Sequence, residues 1–156
     1  MYTFETKIIL NGNIEKVFDF FCQAANLQKL TPPALDFKIL SDVPIEMKKG
    51  ALIDYRIKLY GIPVKWKTEI TEWNPPFEFE DTQLKGPYKL WKHRHIFKEI
   101  GDKTEMTDIV NYNPKGWPFN SLINKLFVKK EVEKIFKYRE QKILNALKNH
   151  LTCHCK

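Results

Sequence analysis

The stretch from Trp73 to Phe97 constrains the fold most, because it reads as two alternating strands joined by a turn at Gly86-Pro87. Successive side chains of a strand point to opposite faces of the sheet. The residues predicted to share the inward face are Phe77, Phe79, Asp81 and Gln83 in the first strand and Trp91, His93, His95 and Phe97 in the second. Unpaired buried polar groups are costly, so an aromatic face that also holds such groups predicts a cavity with water or a ligand in it.

Hydrophobic periodicity elsewhere predicts one strand, two short helices, a run of strands and a long C-terminal helix. Asn13 is a suitable N-cap for the first helix, and Thr31-Pro32-Pro33 ends the second because proline cannot continue a helix. The remaining strands are predicted at residues 3–11, 34–41, 50–60, 62–73 and 103–113, and the long helix at residues 119–150. This order predicts an α+β domain in which a curved antiparallel sheet of about seven strands wraps the long helix and leaves a cavity.

The size of the chain indicates a single domain. It has 156 residues, of which 43% are hydrophobic, which is enough for one substantial core and too little for two. We expect the domain to span residues 1–150 and residues 151–156 to form a disordered tail. No apolar run approaches the roughly 18 residues that cross a membrane, and no basic leader precedes an apolar core. A soluble cytoplasmic protein, either monomeric or homodimeric, is therefore expected.

The net charge of +7 comes from lysines and arginines that are spread over nearly every segment. No zinc finger or RNA-binding signature accompanies them, so nucleic acid is not an expected partner. Five lysines of the long helix fall mostly off its apolar stripe and are interpreted as a solvated face: Lys129, Lys130, Lys134, Lys137 and Lys142. The alternative left open is that this face contacts an acidic protein or a membrane surface.

The three cysteines do not suggest a disulfide framework, because their number is odd and no secretory signal is present. Cys22 falls in an apolar helical stretch and is expected to be a buried thiol. The tail sequence Cys153-His154-Cys155 resembles part of a metal site, but no second group of ligands lies nearby. A disordered end is the preferred interpretation of the tail.

The predicted order of elements resembles the helix-grip superfamily, also called SRPBCC. That superfamily includes the START lipid-transfer domains, the birch-pollen allergen relatives and the bacterial polyketide cyclase/dehydrase-like proteins. The resemblance covers essentially the whole chain, and the residues that carry it are Phe79-x-Asp81-x-Gln83-x-x-Gly86-Pro87-Tyr88-x-x-Trp91-x-His93-x-His95-x-Phe97, Thr104-Glu105-Met106-Thr107-Asp108 and Phe136-x-Tyr138-Arg139. It implies a ligand-binding cavity but no single activity, because one fold hosts many functions.

Candidate ligand contacts lie on the predicted inward faces and on the long helix. They are Tyr55, Trp66, Phe79, Asp81, Gln83, Trp91, His93, His95, Met106, Asp108, Tyr112 and Arg139. So many rings favour a bulky apolar or aromatic ligand. Arg139 falls on the apolar stripe, where it either pairs with Asp81, Asp108 or an acidic ligand, or reaches water from the stripe's edge; the second placement is slightly preferred.

Four of these residues, Asp81, His93, His95 and Asp108, come from three consecutive strands. Neighbouring strands are about 4.8 Å apart, so groups at matching height can touch. They form either a closed polar network or a set of ligand contacts, and His93-x-His95 with Asp81 or Asp108 also suits a metal. No metal or cofactor is expected, because no third histidine is near in sequence and no cofactor fingerprint is present.

The preferred function is the binding or carrying of a small hydrophobic or aromatic molecule, with polar groups orienting one end. The alternative is a polyketide cyclase/dehydratase-like enzyme in which the candidate catalytic residues His93, His95, Asp81 and Asp108 perform acid–base chemistry. The sequence contains no nucleophile motif and no phosphate-binding loop, so a non-enzymatic role is preferred.

Overall fold

The described part of the chain is a helix-grip fold, as predicted. The computed structural model describes residues 1–115, 122 and 127–151, the last four of them through the backbone alone. The sheet strands are β1 (Tyr2–Asn11), β2 (Lys38–Ile39), β3 (Leu52–Leu59), β4 (Ile62–Asn74), β5 (Glu78–Lys85), β6 (Tyr88–Ile100) and β7 (Lys103–Pro114). The helices are α1 (Ile14–Cys22), α2 (Ala24–Leu30), a short 3-10 helix (Pro33–Leu35) and α3 (Lys129–Leu151).

The strands form one antiparallel sheet in the order β1-β7-β6-β5-β4-β3-β2. The hairpin turns from β3 to β4 and from β6 to β7 place Gly61 and Gly101 at φ of 81° and 61°. Glycine adopts this left-handed conformation at little cost because it has no Cβ. These tight turns keep consecutive strands adjacent, so β5, β6 and β7 lie side by side.

Helix α1 begins at the predicted cap. The Asn13 side chain accepts a hydrogen bond from the backbone N–H of Lys16 at 3.2 Å, and α1 buries Ile14, Val17 and Phe18. The helix ends at Cys22, whose thiol is free and half-buried. Burial, helped by the charge of Asp19, raises the pKa of Cys22 to about 12. Cys22 was predicted to be buried and is half-buried, and its raised pKa favours the less reactive thiol form.

Three clusters of buried side chains lie between the sheet and the helices, and two of them differ in how closely they are packed. We call the first the packed end. Its buried members are Ile8, Leu10, Ile14, Val17, Phe18, Leu30, Phe79, Phe97, Met106, Ile143 and Leu147. We call the second the cavity end, and its buried residues Phe37, Ile57 and Trp66 pack with Tyr55, Tyr88 and Trp91 among others.

Two local predictions are wrong. Residues 34–41 form only the two-residue strand β2, because the chain first makes the 3-10 helix and then turns through Asp36 at a left-handed φ of 41°. Phe77 does not join the inward face of β5. Its backbone N–H bonds to the carbonyl of Asn74 in the turn before the strand, and its side chain is 55% exposed.

The predicted long helix is described from Lys129 onward. Residues 116–121 and 123–126 lie outside the described residues, as does the tail at 152–156 with its Cys153-His154-Cys155 sequence. Leu122, which was predicted on the apolar stripe, is 54% exposed, whereas Val132, Phe136 and Ile143 are buried. The five lysines of the predicted solvated face are all exposed. Among the described helices none has the length and apolar character to cross a membrane.

Candidate functional site

A cavity of about 170 Å³ lies at the cavity end, between the middle strands of the sheet, α2 and α3. Most of its wall is aromatic or aliphatic, and it is lined from α2 by Leu27, from β3 by Ile53 and Ile57, and from α3 by Val132 and Phe136. The polar or partly polar residues in the wall are Thr31, Tyr55, Trp66, Thr68, Asp81, Tyr88, Trp91, His93, His95 and Arg139. An apolar cavity with a few convergent polar groups is the usual form of a small-molecule site.

The structure brings most of the predicted ligand contacts to this wall. Those that line it are Tyr55, Trp66, Phe79, Asp81, Trp91, His93, His95 and Arg139. Four others, Gln83, Met106, Asp108 and Tyr112, are not among the lining residues. Their inward orientation was predicted from strand alternation alone, which gives the face of the sheet but not the position beneath the helices.

Each of those four side chains lies elsewhere for a local reason. Gln83 closes the β5–β6 turn, donating to the carbonyl of Tyr88 at 2.8 Å and accepting from its N–H at 3.2 Å. Met106 is fully buried in the packed end. Tyr112 packs with Val110 against α3, and Asp108 lies behind the two histidines.

The polar groups form a closed ring of two carboxylates and two imidazoles. Asp108 Oδ1 is 2.7 Å from His93 Nε2 and 2.8 Å from His95 Nδ1. Asp81 Oδ2 is 3.1 Å from His95 Nε2 and 3.7 Å from His93 Nδ1. The contacts of Asp108 with His93 and of Asp81 with His95 are hydrogen bonds, whereas the contact between Asp108 and His95 Nδ1 is short but not aligned with a ring N–H.

Strand register explains why this ring forms. Asp81 on β5 is directly opposite His93 on β6, and His95 on β6 is directly opposite Asp108 on β7. Side chains directly opposite each other on one face of an antiparallel pair are about 5 Å apart at Cβ, and diagonal neighbours remain within reach. The sequence therefore predicts the grouping, and the structure adds which nitrogen faces which carboxylate.

The pKa values of the two imidazoles in the ring shift in opposite directions. Burial and the charge of His95 lower the pKa of His93. Asp108 acts in the opposite direction but does not offset them. Burial opposes a charged His95 as well, but the charge and hydrogen bonds of Asp108 and the bond to Asp81 raise its pKa. Burial would raise the pKa of both carboxyls, but the imidazoles hold the pKa of Asp108 well below its usual value and that of Asp81 below it too.

Arg139 lies on the cavity wall and not at the outer edge of the helix, which contradicts the slightly preferred placement. Its guanidinium carbon is 5.9 Å and 5.8 Å from the ring centroids of Phe21 and Phe136. Its charge helps to lower the pKa of Asp81, although burial and the histidines act more strongly on that carboxyl. Arg139 thus supplies a cationic group to the cavity without closing the ring.

Besides His95 Nδ1, which lies 2.8 Å from Asp108 Oδ1, three buried polar atoms in the wall have no hydrogen-bond partner among the described residues. They are Trp66 Nε1, Thr68 Oγ1 and Arg139 Nε. The Thr68 hydroxyl lies beside the Tyr55 phenol and counters part of the rise that burial causes in the pKa of Tyr55, but no well-aligned bond joins the two side chains. Since buried polar groups are nearly always paired in native proteins, unpaired atoms around a cavity indicate a missing partner inside it.

Several wall residues were not predicted as ligand contacts. Thr68 shares the inward face of β4 with Trp66 and Ile70, so alternation already signalled its direction. Tyr88 follows the β5–β6 turn, and Leu27 comes from α2. No sequence pattern in one element shows which part of a sheet another element covers, so the contributions of α2 and of the Tyr88 turn could not be found that way.

This combination of fold and cavity defines a ligand-binding helix-grip protein. The model of the family "Polyketide cyclase / dehydrase and lipid transport" matches residues 10–136, and the chain belongs to that family. No curated protein matches the chain in sequence.

Solved structures share the fold at low sequence identity. Protein TTHA0849 of Thermus thermophilus is 17% identical with a TM-score of 0.71, over 93% of this chain and 99% of that one. The Zhui aromatase/cyclase of Streptomyces sp. R1128 is 12% identical with a TM-score of 0.72, over 96% and 95%. A START superfamily protein of Mycobacterium smegmatis is 12% identical with a TM-score of 0.68, over 90% and 96%. These similarities establish the architecture.

Proposed function

We propose that this protein binds or carries a small, mostly apolar or aromatic molecule in the cavity between the sheet and α3. The observation that carries the proposal is an apolar cavity whose wall contains, besides His95 Nδ1, three buried polar atoms without partners among the described residues, on Trp66, Thr68 and Arg139. An unpaired buried polar group costs about 1–3 kcal/mol. A ligand oxygen that accepts hydrogen bonds from these groups would remove part of that cost.

The size of the cavity limits the ligand. Close-packed protein interiors are about three-quarters filled, so a cavity of about 170 Å³ suits a molecule of roughly 130 Å³. That is about the size of a compound with two fused aromatic rings. Larger ligands, which occupy pockets of about 300–1,000 Å³, require the cavity to widen.

The charge of the wall further limits the polar end of the ligand. Asp81 in the wall and Asp108 behind it, whose pKa values are lowered, contribute two negative charges. Arg139 contributes one positive charge, and the raised pKa of His95 favours a second. An additional carboxylate beside Asp81 would meet a like charge in a poorly solvated site. A neutral oxygen, as in a phenol or a ketone, accepts hydrogen bonds from Trp66 and Arg139 without that repulsion.

The test is calorimetric titration with naphthalene and 1-naphthol, which differ only by a hydroxyl group. We expect both compounds to bind, with 1-naphthol tighter by about 3- to 10-fold because one hydrogen bond contributes roughly 0.5–1.5 kcal/mol. In Trp66→Phe the ring is retained and the N–H is lost, so the preference for 1-naphthol should shrink. Trp73→Phe, outside the cavity wall, serves as the matched control. Failure of both compounds to bind would contradict the proposal.

A second candidate function is acid–base catalysis of cyclisation or dehydration. The observation in its favour is that His93 and His95 line the cavity with pKa values shifted in opposite directions. Pairs of titratable groups with separated pKa values are typical of acid–base sites. Its test is mass spectrometry of a linear poly-β-ketone thioester incubated with the protein. Loss of one water from the substrate, abolished in His95→Asn, is the expected result; an unchanged substrate or unchanged turnover in the variant would count against catalysis.

A further inference from the structure

The ring of two histidines and two aspartates has a directional arrangement that a simple hydrogen-bond network does not require. The nitrogens His93 Nε2 and His95 Nδ1 both face one oxygen, Asp108 Oδ1, at 2.7 Å and 2.8 Å. The opposite nitrogens, His93 Nδ1 and His95 Nε2, both face one oxygen of Asp81, at 3.7 Å and 3.1 Å. Each imidazole therefore directs one nitrogen to Asp108, which we call the rear carboxylate, and the other to Asp81, which we call the front carboxylate because it lines the cavity.

The front atoms have the spacing of a metal-ligand set. One donor atom each from Asp81, His93 and His95 lie within 4.8 Å of one another. Nitrogen and oxygen ligands bind Zn²⁺ at about 2.0–2.2 Å, so donors around one ion are separated by about 3.0–3.5 Å. The separation of 3.1 Å between Asp81 and His95 already lies in that range, and small side-chain rotations would bring the 3.7 Å separation between Asp81 and His93 into it.

The rear carboxylate is a hydrogen-bond acceptor of the kind that metal-binding histidines usually have. A metal-binding histidine generally donates its other ring N–H to a carboxylate or carbonyl, which fixes the tautomer and the ring orientation. Asp108 Oδ1 accepts from His93 and lies 2.8 Å from His95 Nδ1, so a small reorientation of the His95 ring would let it accept from both histidines; the Asp108 side chain is only 4% exposed. An oxygen that accepts both rear protons leaves lone pairs at the two front nitrogens.

The front side opens onto the cavity. Asp81, His93 and His95 line the cavity wall, whereas Asp108 does not. Three protein ligands with a free position toward a cavity match sites that bind a metal ion and a ligand atom together. A ligand oxygen at the polar end of the cavity would be close to that free position.

We propose that Asp81, His93 and His95 bind one divalent first-row transition-metal ion, with Asp108 as a positioning residue behind both imidazoles. Without metal, the hydrogen bond from His95 to Asp81 closes the same ring. No metal was expected from the sequence because no third histidine is near, but in the structure Asp108 faces the two histidines on one side and Asp81 on the other. The inference does not depend on which apolar molecule the cavity accepts.

The test is titration of the metal-free protein with Co²⁺, followed by visible absorption. The tail carries competing ligands, so the protein used has four substitutions, His150→Asn, Cys153→Ser, His154→Asn and Cys155→Ser. We expect uptake of one Co²⁺ per chain, with visible bands of nitrogen and oxygen ligation. Binding that occurs only in the unsubstituted chain, with near-ultraviolet thiolate bands, would assign the metal to the tail and overturn the proposal. Absence of uptake would also overturn it.

Variants in the same tail-substituted background identify the ligands. We expect Asp81→Asn and His95→Asn each to weaken Co²⁺ binding by about 100-fold or more, since each removes a direct ligand. Asp108→Asn should weaken it by about 10- to 100-fold, the usual effect of losing an outer partner. Asp102→Asn, the same change at the exposed β6–β7 turn, should leave it unchanged. Undiminished affinity in Asp81→Asn, the most exposed member of the ring, would contradict the site even if the buried variants fail to fold.

Discussion

The packed end and the cavity end are built on the same strands but differ in how their buried groups are satisfied. Strand β6 contributes Phe97 to the packed end and Trp91 to the cavity end, with His93 and His95 between them. At the packed end the hydroxyl of Thr104 donates to the carbonyl of Gly12 at 2.9 Å, whereas at the cavity end the hydroxyl of Thr68 has no partner among the described side chains and backbone groups. The comparison separates a buried hydroxyl that is paired within the fold from one that has no partner among the described residues.

The helices cause this difference. Helix α1 directs Phe18 into the packed end, where its ring lies 5.3 Å from that of Phe97 and 5.8 Å from that of Phe79. Over the cavity end the covering residues, such as Leu27 of α2 and Phe136 of α3, only line a space of about 170 Å³. One face of a sheet can thus be close-packed along part of its length and hollow along the rest.

The largest predicted effect contrasts two phenylalanines, Phe97 at the packed end and Phe37 at the cavity end. Phe97→Ala should lower the free energy of unfolding by about 3–5 kcal/mol, because it opens a void in a close-packed cluster. Phe37→Ala should cost about 2 kcal/mol or less, because it extends a cavity that is already present. Urea denaturation monitored by circular dichroism measures both. Equal losses would show that the two ends are equally well packed.

The next prediction concerns Thr104 and Thr68, whose replacements should change the free energy of unfolding in opposite directions. Thr104→Val should lower the free energy of unfolding by about 1–2 kcal/mol, because it removes the hydrogen bond to Gly12. Thr68→Val should raise the free energy of unfolding of the ligand-free protein by about 1 kcal/mol, because it removes a buried hydroxyl without a partner among the described residues.

Thermal unfolding of the three proteins side by side, with and without 1-naphthol, checks this pair. The account also requires Thr68→Val to gain less stability from 1-naphthol than the native chain does, since the stabilisation by a ligand increases with its affinity. Destabilisation by Thr68→Val would mean that its hydroxyl is already satisfied.

The smallest predicted effect concerns the N-cap of α1. Asn13→Ala should lower the free energy of unfolding by about 1 kcal/mol, since it removes the hydrogen bond to the N–H of Lys16. Because α1 mainly packs at the packed end, the affinity for 1-naphthol should stay within about twofold of the native value. Calorimetric titration and urea denaturation test both parts. Phe21 near the end of α1 lines the cavity, so a large loss of affinity would show that the start of α1 is coupled to that wall.

The sequence predicted the sheet and the polar ring well, because period-two alternation fixes which face each side chain occupies. It therefore grouped Asp81, His93, His95 and Asp108 correctly. It could not separate Met106 from Trp91, since both point inward and only the helices decide which one meets a cavity.

Local turn chemistry set a second limit. Gln83 was expected in the cavity, but its amide closes the backbone of the β5–β6 turn, and a Cβ at position 86 would collide with it. Gly86 was therefore a sequence signal that the Gln83 side chain packs against the turn, and strand alternation alone did not take it into account.

The central claim is that a ligand enters the cavity end and leaves the packed end undisturbed. The most direct measurement is the set of ¹⁵N–¹H chemical-shift changes on adding 1-naphthol to the native chain. The account predicts a large shift of the Trp66 indole N–H and shifts of the backbone amides of Tyr55 and Thr68, with little change at Val17 and Met106. Shifts confined to the packed end, or no shift of the Trp66 indole at saturating 1-naphthol, would contradict it.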